Sequence, residues 1–188
     1  MNQADTIFKL KSGDTAIFKD VVDAWLNKIY NTAVSIVQNE QDAEDITQEV
    51  FVTLYERIDD FREESALSTW LYRITVSKSL DHEKRKKRKK HGGLLRKIFL
   101  TKEEDEPVNF DHPGILLDNK EKAAVLFKAL KKLPEKQRVA FTLHKLEGLS
   151  YQEIASVMNT TLFAIESLQG RAKTNLRNIL KEYYEQHL

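Results

Sequence analysis

Seven consecutive basic residues, Lys84 to Lys90, close an amphipathic helical pattern that begins at Leu67. Ahead of the run, Leu67, Trp70, Leu71 and Ile74 recur at intervals of three and four. One side of a helix is therefore expected to be buried with Trp70 as a large aromatic anchor, leaving Arg73 and Lys78 on wetter flanks. No acidic residue offsets the run, and clustered cations that follow a folded helix place a positive field beside a fixed surface, as binding to a phosphate backbone requires. Taken alone, the run also fits a solvated charge tail.

Charge is segregated along the rest of the chain, although the net charge is only +1. Residues 1–83 hold 8 basic and 16 acidic residues (net −8), 84–97 hold 9 basic and none acidic, 98–117 return to net −4, and 118–188 reach net +4. Such division favours more than one partner, a protein surface for the first part and a polyanion for the others. With 188 residues the chain holds one domain or two small ones, and the absence of Cys excludes disulfides and thiolate metal sites. The N-terminus lacks a Lys- or Arg-led apolar segment, and no apolar run approaches the roughly 18 residues of a membrane span. A cytoplasmic protein without membrane insertion is expected.

The spacing predicts a first helix from Asp14, as its cap, to about Gln38, with Phe18, Val22, Trp25, Ile29, Ala33 and Ile36 inward. After a break at Asn39 to Gln41, Asp42 is the candidate cap of a second helix. Ile46, Val50, Leu54 and Ile58 line its core side, widened by Phe51 and Tyr55. On the opposite side Asp42, Asp45 and Glu49, with Gln48 alongside, form an acidic stripe. A protein-docking stripe and an ordinary solvated face both fit, whereas metal binding or acid–base catalysis lacks the His, Cys or nucleophile it needs. The polar connection Asp59 to Ala66 carries one aromatic, Phe61, which suits either a core contact or a base contact.

Beyond the basic run, residues 91–118 read as a flexible linker containing Gly92, Gly93, Pro107 and Pro113, interrupted by the apolar cluster Leu94, Leu95, Ile98, Phe99 and Leu100. It separates an N-terminal unit, 1–90, from a C-terminal one, 119–188. His82, His91, His112, His144 and His187 show no ligand spacing. In the C-terminal unit, Ala124, Phe127, Leu130 and Leu133 mark a helix from about Asn119, Pro134 opens another carrying Val139, Leu143 and Leu146, and Gly148 ends it. Ser150 and Glu153 have capping-box spacing ahead of a short helix with Ile154, Ala155 and Val157, and Asn159-Thr160-Thr161 supplies a turn. The final helix, Leu162 to about Leu180, turns Ile165, Leu168, Ala172, Leu176 and Ile179 inward and Arg171, Lys173 and Arg177 outward. That order matches a helix-turn-helix, though a plain helical bundle has the same periodicity. The fold class expected is all-α, two helical domains with a helix-turn-helix in the second.

No set of acids, bases, nucleophiles or metal ligands converges, so no catalytic residue, metal or cofactor is assigned. A stand-alone helix-turn-helix regulator would leave the acidic stripe and the Trp70 helix without a role. The segments DAEDITQEVFVTLYERIDDF, LSTWLYRITVSKSLDHEKRKK, LKKLPEKQRVAFTLHKLEGLSYQEIASVMNTT and GRAKTNLRNIL together resemble, in order, the bacterial RNA polymerase sigma factors of the extracytoplasmic function group.

The resemblance implies a promoter-specificity and initiation factor with a −10 domain at 1–90 and a −35 domain at 119–188. It places Asp42, Asp45, Gln48 and Glu49 on the clamp helices of the polymerase's largest subunit. Phe61, Ser68, Thr69, Arg73, Ser77, Lys84 and Arg85 fall at the −10 strand, with the connection from Phe61 to Ser68 receiving a flipped base. Thr160, Thr161, Phe163, Glu166, Ser167, Gly170, Arg171 and Lys173 fall at the −35 duplex, and helix 136–146 meets the flap of the second-largest subunit. An anti-sigma factor is a further partner the group implies. Ser77, Phe163, Glu166 and Gly170 depart from the group's usual residues. Glu166 can accept from cytosine N4 or repel a phosphate, and Phe163 can meet a thymine methyl or pack on a neighbouring helix.

Overall fold

The computed structural model describes residues 3–92 and 120–187, and the expected linker from Gly93 onward, with its apolar cluster and His112, lies outside them. Asp14 caps a helix as its sequence position requires, accepting from the Ala16 and Ile17 amides at 2.9 and 3.1 Å, and α2 (Thr15–Val37) ends where Gln38 turns left-handed at φ 56°. Ahead of it lies a helix not anticipated from the sequence, α1 (Gln3–Lys11), which buries Ile7 and Leu10. With α1 in place, Ile17 and Val21 join Ile29, Ala33 and Ile36 in the core, while Phe18, Val22 and Trp25 are only partly buried.

The cap of α3 (Glu40–Arg57) is Asn39, whose side chain accepts from the Asp42 amide at 2.8 Å, so Asp42 lies in the first turn of the helix and is not its N-cap. Ile46, Val50, Leu54 and Phe51 are buried along α3, and Ile58 in the single 3-10 turn that follows, but Tyr55 is 65% exposed with its ring edge against Phe18. The chain then enters α4 (Leu67–Gly92), which carries the basic run as continuous helix. Helices α2, α3 and α4 pack on one another as a three-helix unit, and α1 rests against α2 and the 3-10 turn.

The C-terminal unit comprises α5 (Lys120–Lys131), α6 (Glu135–Lys145), α7 (Tyr151–Val157) and α8 (Leu162–His187). Gly148, at φ 73°, lets the chain turn back so that the Leu149 amide reaches the Leu143 carbonyl at 3.0 Å, closing α6. Both halves of the Ser150–Glu153 capping box form, and their hydrogen bonds hold the Glu153 carboxyl below the usual carboxylate range. Phe127, Leu130 and Leu133 of the α5 segment meet Ala172 and Leu176 of α8 in a second, smaller core.

The two units are joined face to face. α6 lies on α2 and α7 on α4, and Val139, Ala140, Leu143 and Ile154 belong to the same apolar cluster as Ile29 and Leu71. Polar groups cross the seam as well. Tyr72 donates to Glu147 at 2.9 Å, Arg73 to the Ser156 carbonyl at 2.9 Å, Lys87 pairs with Glu135, and Arg138 stands 3.6 Å from Glu83. Burial beside the Glu147 carboxylate pushes the Tyr72 hydroxyl far above its ordinary value. Burial lowers the Arg138 guanidinium, and Glu83 works against that shift.

Candidate nucleic-acid interface

The turn between α7 and α8 is built by local chemistry. Asn159 takes the left-handed conformation at φ 48°, and the Thr161 hydroxyl caps α8 by accepting from the Ala164 amide at 3.2 Å. From there α8 is two-sided. Ile165, Ala172 and Leu176 are buried, while Thr160, Thr161, Phe163, Glu166, Gly170, Arg171 and Lys173 are exposed and Ser167 is half-buried. Arg171 donates to the Ser167 hydroxyl through Nε at 3.2 Å and Nη2 at 2.6 Å, which holds the guanidinium along the outer face. Phe163 is 79% exposed, so it is not a packing residue for a neighbouring helix. A Cβ built at Gly170 meets no atom within 4 Å, so nothing inside the chain demands glycine there. Gln169, unremarked in the sequence, fastens the helix from beneath, its side-chain amide donating to the buried Ala140 carbonyl at 2.6 Å.

Such an arrangement of short capped helix, tight turn and long helix with a polar outer face can lay α8 against a duplex groove. Comparison with known proteins places it in a family. Residues 21–89 match Sigma-70 region 2 and residues 123–176 match Sigma-70, region 4. The RNA polymerase sigma-H factor of Pseudomonas aeruginosa is 31% identical over 180 residues, covering 92% of this chain and 91% of that protein. The chain belongs to the extracytoplasmic function group of RNA polymerase sigma factors. The ECF RNA polymerase sigma-E factor of Escherichia coli K12 is 30% identical over 172 residues, 90% of each chain. The Bartonella quintana sigma factor RpoE, solved with the anti-sigma factor NepR, aligns at TM-score 0.65 and 25% identity over 87% of this chain and 96% of its own. CnrH, solved with the cytosolic domain of CnrY, shares the fold at TM-score 0.70 and 23% identity over 96% of this chain and 97% of its own.

This sigma factor is a promoter-specific transcription-initiation factor, and the stand-alone regulator is the disfavoured reading. Its α3 stripe faces outward at Asp45, Gln48 and Glu49, while Asp42 is half-buried. The carboxylates are engaged by side chains of α4: Asp42 meets Lys86 at 3.0 Å and His82 at 3.1 Å, and Glu49 meets Lys78 at 3.1 Å. Spacing alone could not place these pairs, because each joins residues on separate helices.

The residues expected at a −10 strand divide. Ser77, Lys84 and Arg85 are exposed and Ser68 is half-buried. Arg73 is exposed but already donates to Ser156. Phe61 is 4% exposed with its ring 5.1 Å from that of Trp70, and Thr69 is 8% exposed. Both are buried in the free chain: the 3-10 turn after α3 directs Phe61 inward, and Thr69 lies on the inner side of α4. The connection offers instead Arg62, Glu63, Glu64 and Ala66, all exposed. α6, the helix expected at the polymerase flap, buries Gln137, Arg138, Val139, Ala140, Thr142 and Leu143 and leaves Lys136 and Lys145 outward. Among the described residues no group of His, Cys, Asp and Glu could hold a metal ion, and no helix is long and apolar enough to cross a membrane.

Proposed function

We propose that this sigma factor divides its work by face. Residues 1–90 dock on core polymerase through Asp42, Asp45, Gln48 and Glu49 and hold the −10 strand along Ser68, Arg73, Ser77, Lys84 and Arg85. Residues 119–188 hold the −35 duplex through the outer face of α8. The observation that carries this is that face itself: six exposed positions from Phe163 to Lys173, counting Thr161 before them, stand over a buried inner row. Arg171 and Lys173 suit phosphate contacts, and Phe163 and Glu166 suit base edges, a thymine methyl for the ring and cytosine N4 for the carboxylate. On this reading the protein works in the cytoplasm, carries out no chemistry of its own, and leaves RNA synthesis to the polymerase. The complex solved for the Bartonella quintana relative supports an anti-sigma protein as a further partner.

Reconstitution with core polymerase tests the reading. Transcription starts mapped across a genomic library should share a −10 and a −35 element. Substitution of Phe163 or Glu166 should change the preferred −35 bases, and initiation that ignores both elements would defeat the assignment.

A further inference from the structure

Helix α1 lies before the region 2 match, which starts at residue 21, yet two of its side chains reach across 50 and 64 positions of sequence to the connection ahead of α4. Lys11 Nζ donates to the Phe61 carbonyl at 2.9 Å (50 positions away) and stands 3.9 Å from the Glu63 carboxylate. The Gln3 side-chain oxygen accepts from the Leu67 amide at 3.4 Å, 64 positions away. That amide is one of the first in α4, where the helix itself supplies no acceptor. Both ends of the segment 62–66 are therefore held by one short helix, which is itself anchored by Ile7 and Leu10 at 1% and 6% exposure.

The segment between the anchors is under conformational demand. Glu63 sits at φ 59°, a left-handed conformation that a non-glycine residue adopts only when its surroundings hold it there. The Phe61 ring is locked against Trp70, so the carbonyl that Lys11 holds has a fixed base. Gln3 and Thr6 of α1 also line, together with Leu67 and Ser68, a cleft of about 350 Å³.

We infer that α1 is a positioning element for −10 recognition, with Lys11 and Gln3 holding the Phe61–Leu67 connection in the one conformation that presents residues 62–68 to the non-template strand. This rests on the proposed −10 role of that connection. A loop fixed before the strand arrives loses no freedom on binding, and the benefit falls on discrimination between bases, which depends on where donors and acceptors stand. Lys11 itself need not touch DNA.

The experiment uses the full-length protein assembled with core polymerase on a set of promoters differing by single bases in the −10 or the −35 element. K11M keeps the aliphatic stem and removes the donor, and Q3A removes the other anchor. Each is expected to reduce discrimination among −10 variants on the order of fivefold, while −35 discrimination, core affinity and the thermal midpoint stay as in the parent, and K11R restores −10 discrimination. Faster amide hydrogen exchange confined to residues 62–67 in K11M is the accompanying expectation. Parental −10 discrimination in both variants overturns the inference, as does an equal loss at −35 bases. A loop variant, R62A with S68A, separates the clamp from the connection it holds. If it alters −10 discrimination and K11M does not, the clamp alone fails; if neither does, the −10 role of the connection falls and the clamp with it.

Discussion

The α3 stripe and the outer face of α8 both turn polar side chains to solvent, yet they differ in what those side chains already hold. On α3, Asp42 is engaged by Lys86 and His82 and Glu49 by Lys78, so a partner that docks there competes with side chains of the same chain. On α8 the Arg171 guanidinium leans on Ser167 one turn back and Phe163 projects outward, so the surface is presented already arranged. Exposed ion pairs contribute about 0–1 kcal/mol, so exchanging them for a partner's cations costs little. The first surface is thus suited to a large, reversible protein contact and the second to reading a rigid duplex.

Charge reversal attacks the first surface most severely. D45K with E49K is expected to weaken core binding about 100-fold, close to 3 kcal/mol for like charges forced together, in titrations of labelled protein into core polymerase. Unchanged affinity would remove the stripe from the interface. R171A attacks the second: duplex binding should fall about tenfold, evenly across sequences, with the plot of log K against log salt shallower by about one unit. Loss confined to one base pair would move Arg171 from phosphate to base contact.

G170A is gentler and cuts between two explanations. The open space around Gly170 means the change should stabilise α8 by roughly 1 kcal/mol, raising the melting midpoint by about 2–4 °C. A fall in −35 affinity alongside that rise marks close approach of DNA to the backbone, and an unchanged midpoint contradicts the account. The smallest effect sharpens the contrast itself. K78A releases Glu49 and is expected to tighten core binding about twofold, near 0.5 kcal/mol, in the same titration as the charge reversal. No change would mean that the pair survives docking.

Features whose cause is local were legible in the sequence. The Asp14 cap, the Ser150–Glu153 box and the Gly148 turn each depend on residues within a few positions, and each formed where expected. The cap of α3 was displaced because Asn39 and Asp42 are both competent, and the choice between them depends on where the Gln38 turn delivers the chain. α1 escaped notice because nine residues with two buried side chains show no sustained period. Phe61 could not be assigned from its neighbours, since Trp70 decides its burial. On α8 the outer and inner rows followed from periodicity, whereas the pairs between α3 and α4 and across the seam join residues 29 to 83 positions apart.

The Arg73–Ser156 hydrogen bond has a consequence of scale. Elements at −10 and −35 are about 25 base pairs apart, on the order of 85 Å of duplex at 3.4 Å per base pair. A side chain proposed for the nearer element is here 2.9 Å from the Ser156 carbonyl near the end of α7, the helix that precedes the one proposed for the farther element. On the proposed assignment, a molecule engaged at both places at once would have let go of that bond, and with it the Tyr72–Glu147 and Arg138–Glu83 contacts. Promoter affinity measured on the free protein is then the intrinsic affinity multiplied by the fraction of molecules standing open. On that assignment the strength of the seam would set the gain of the factor, independently of any base it reads.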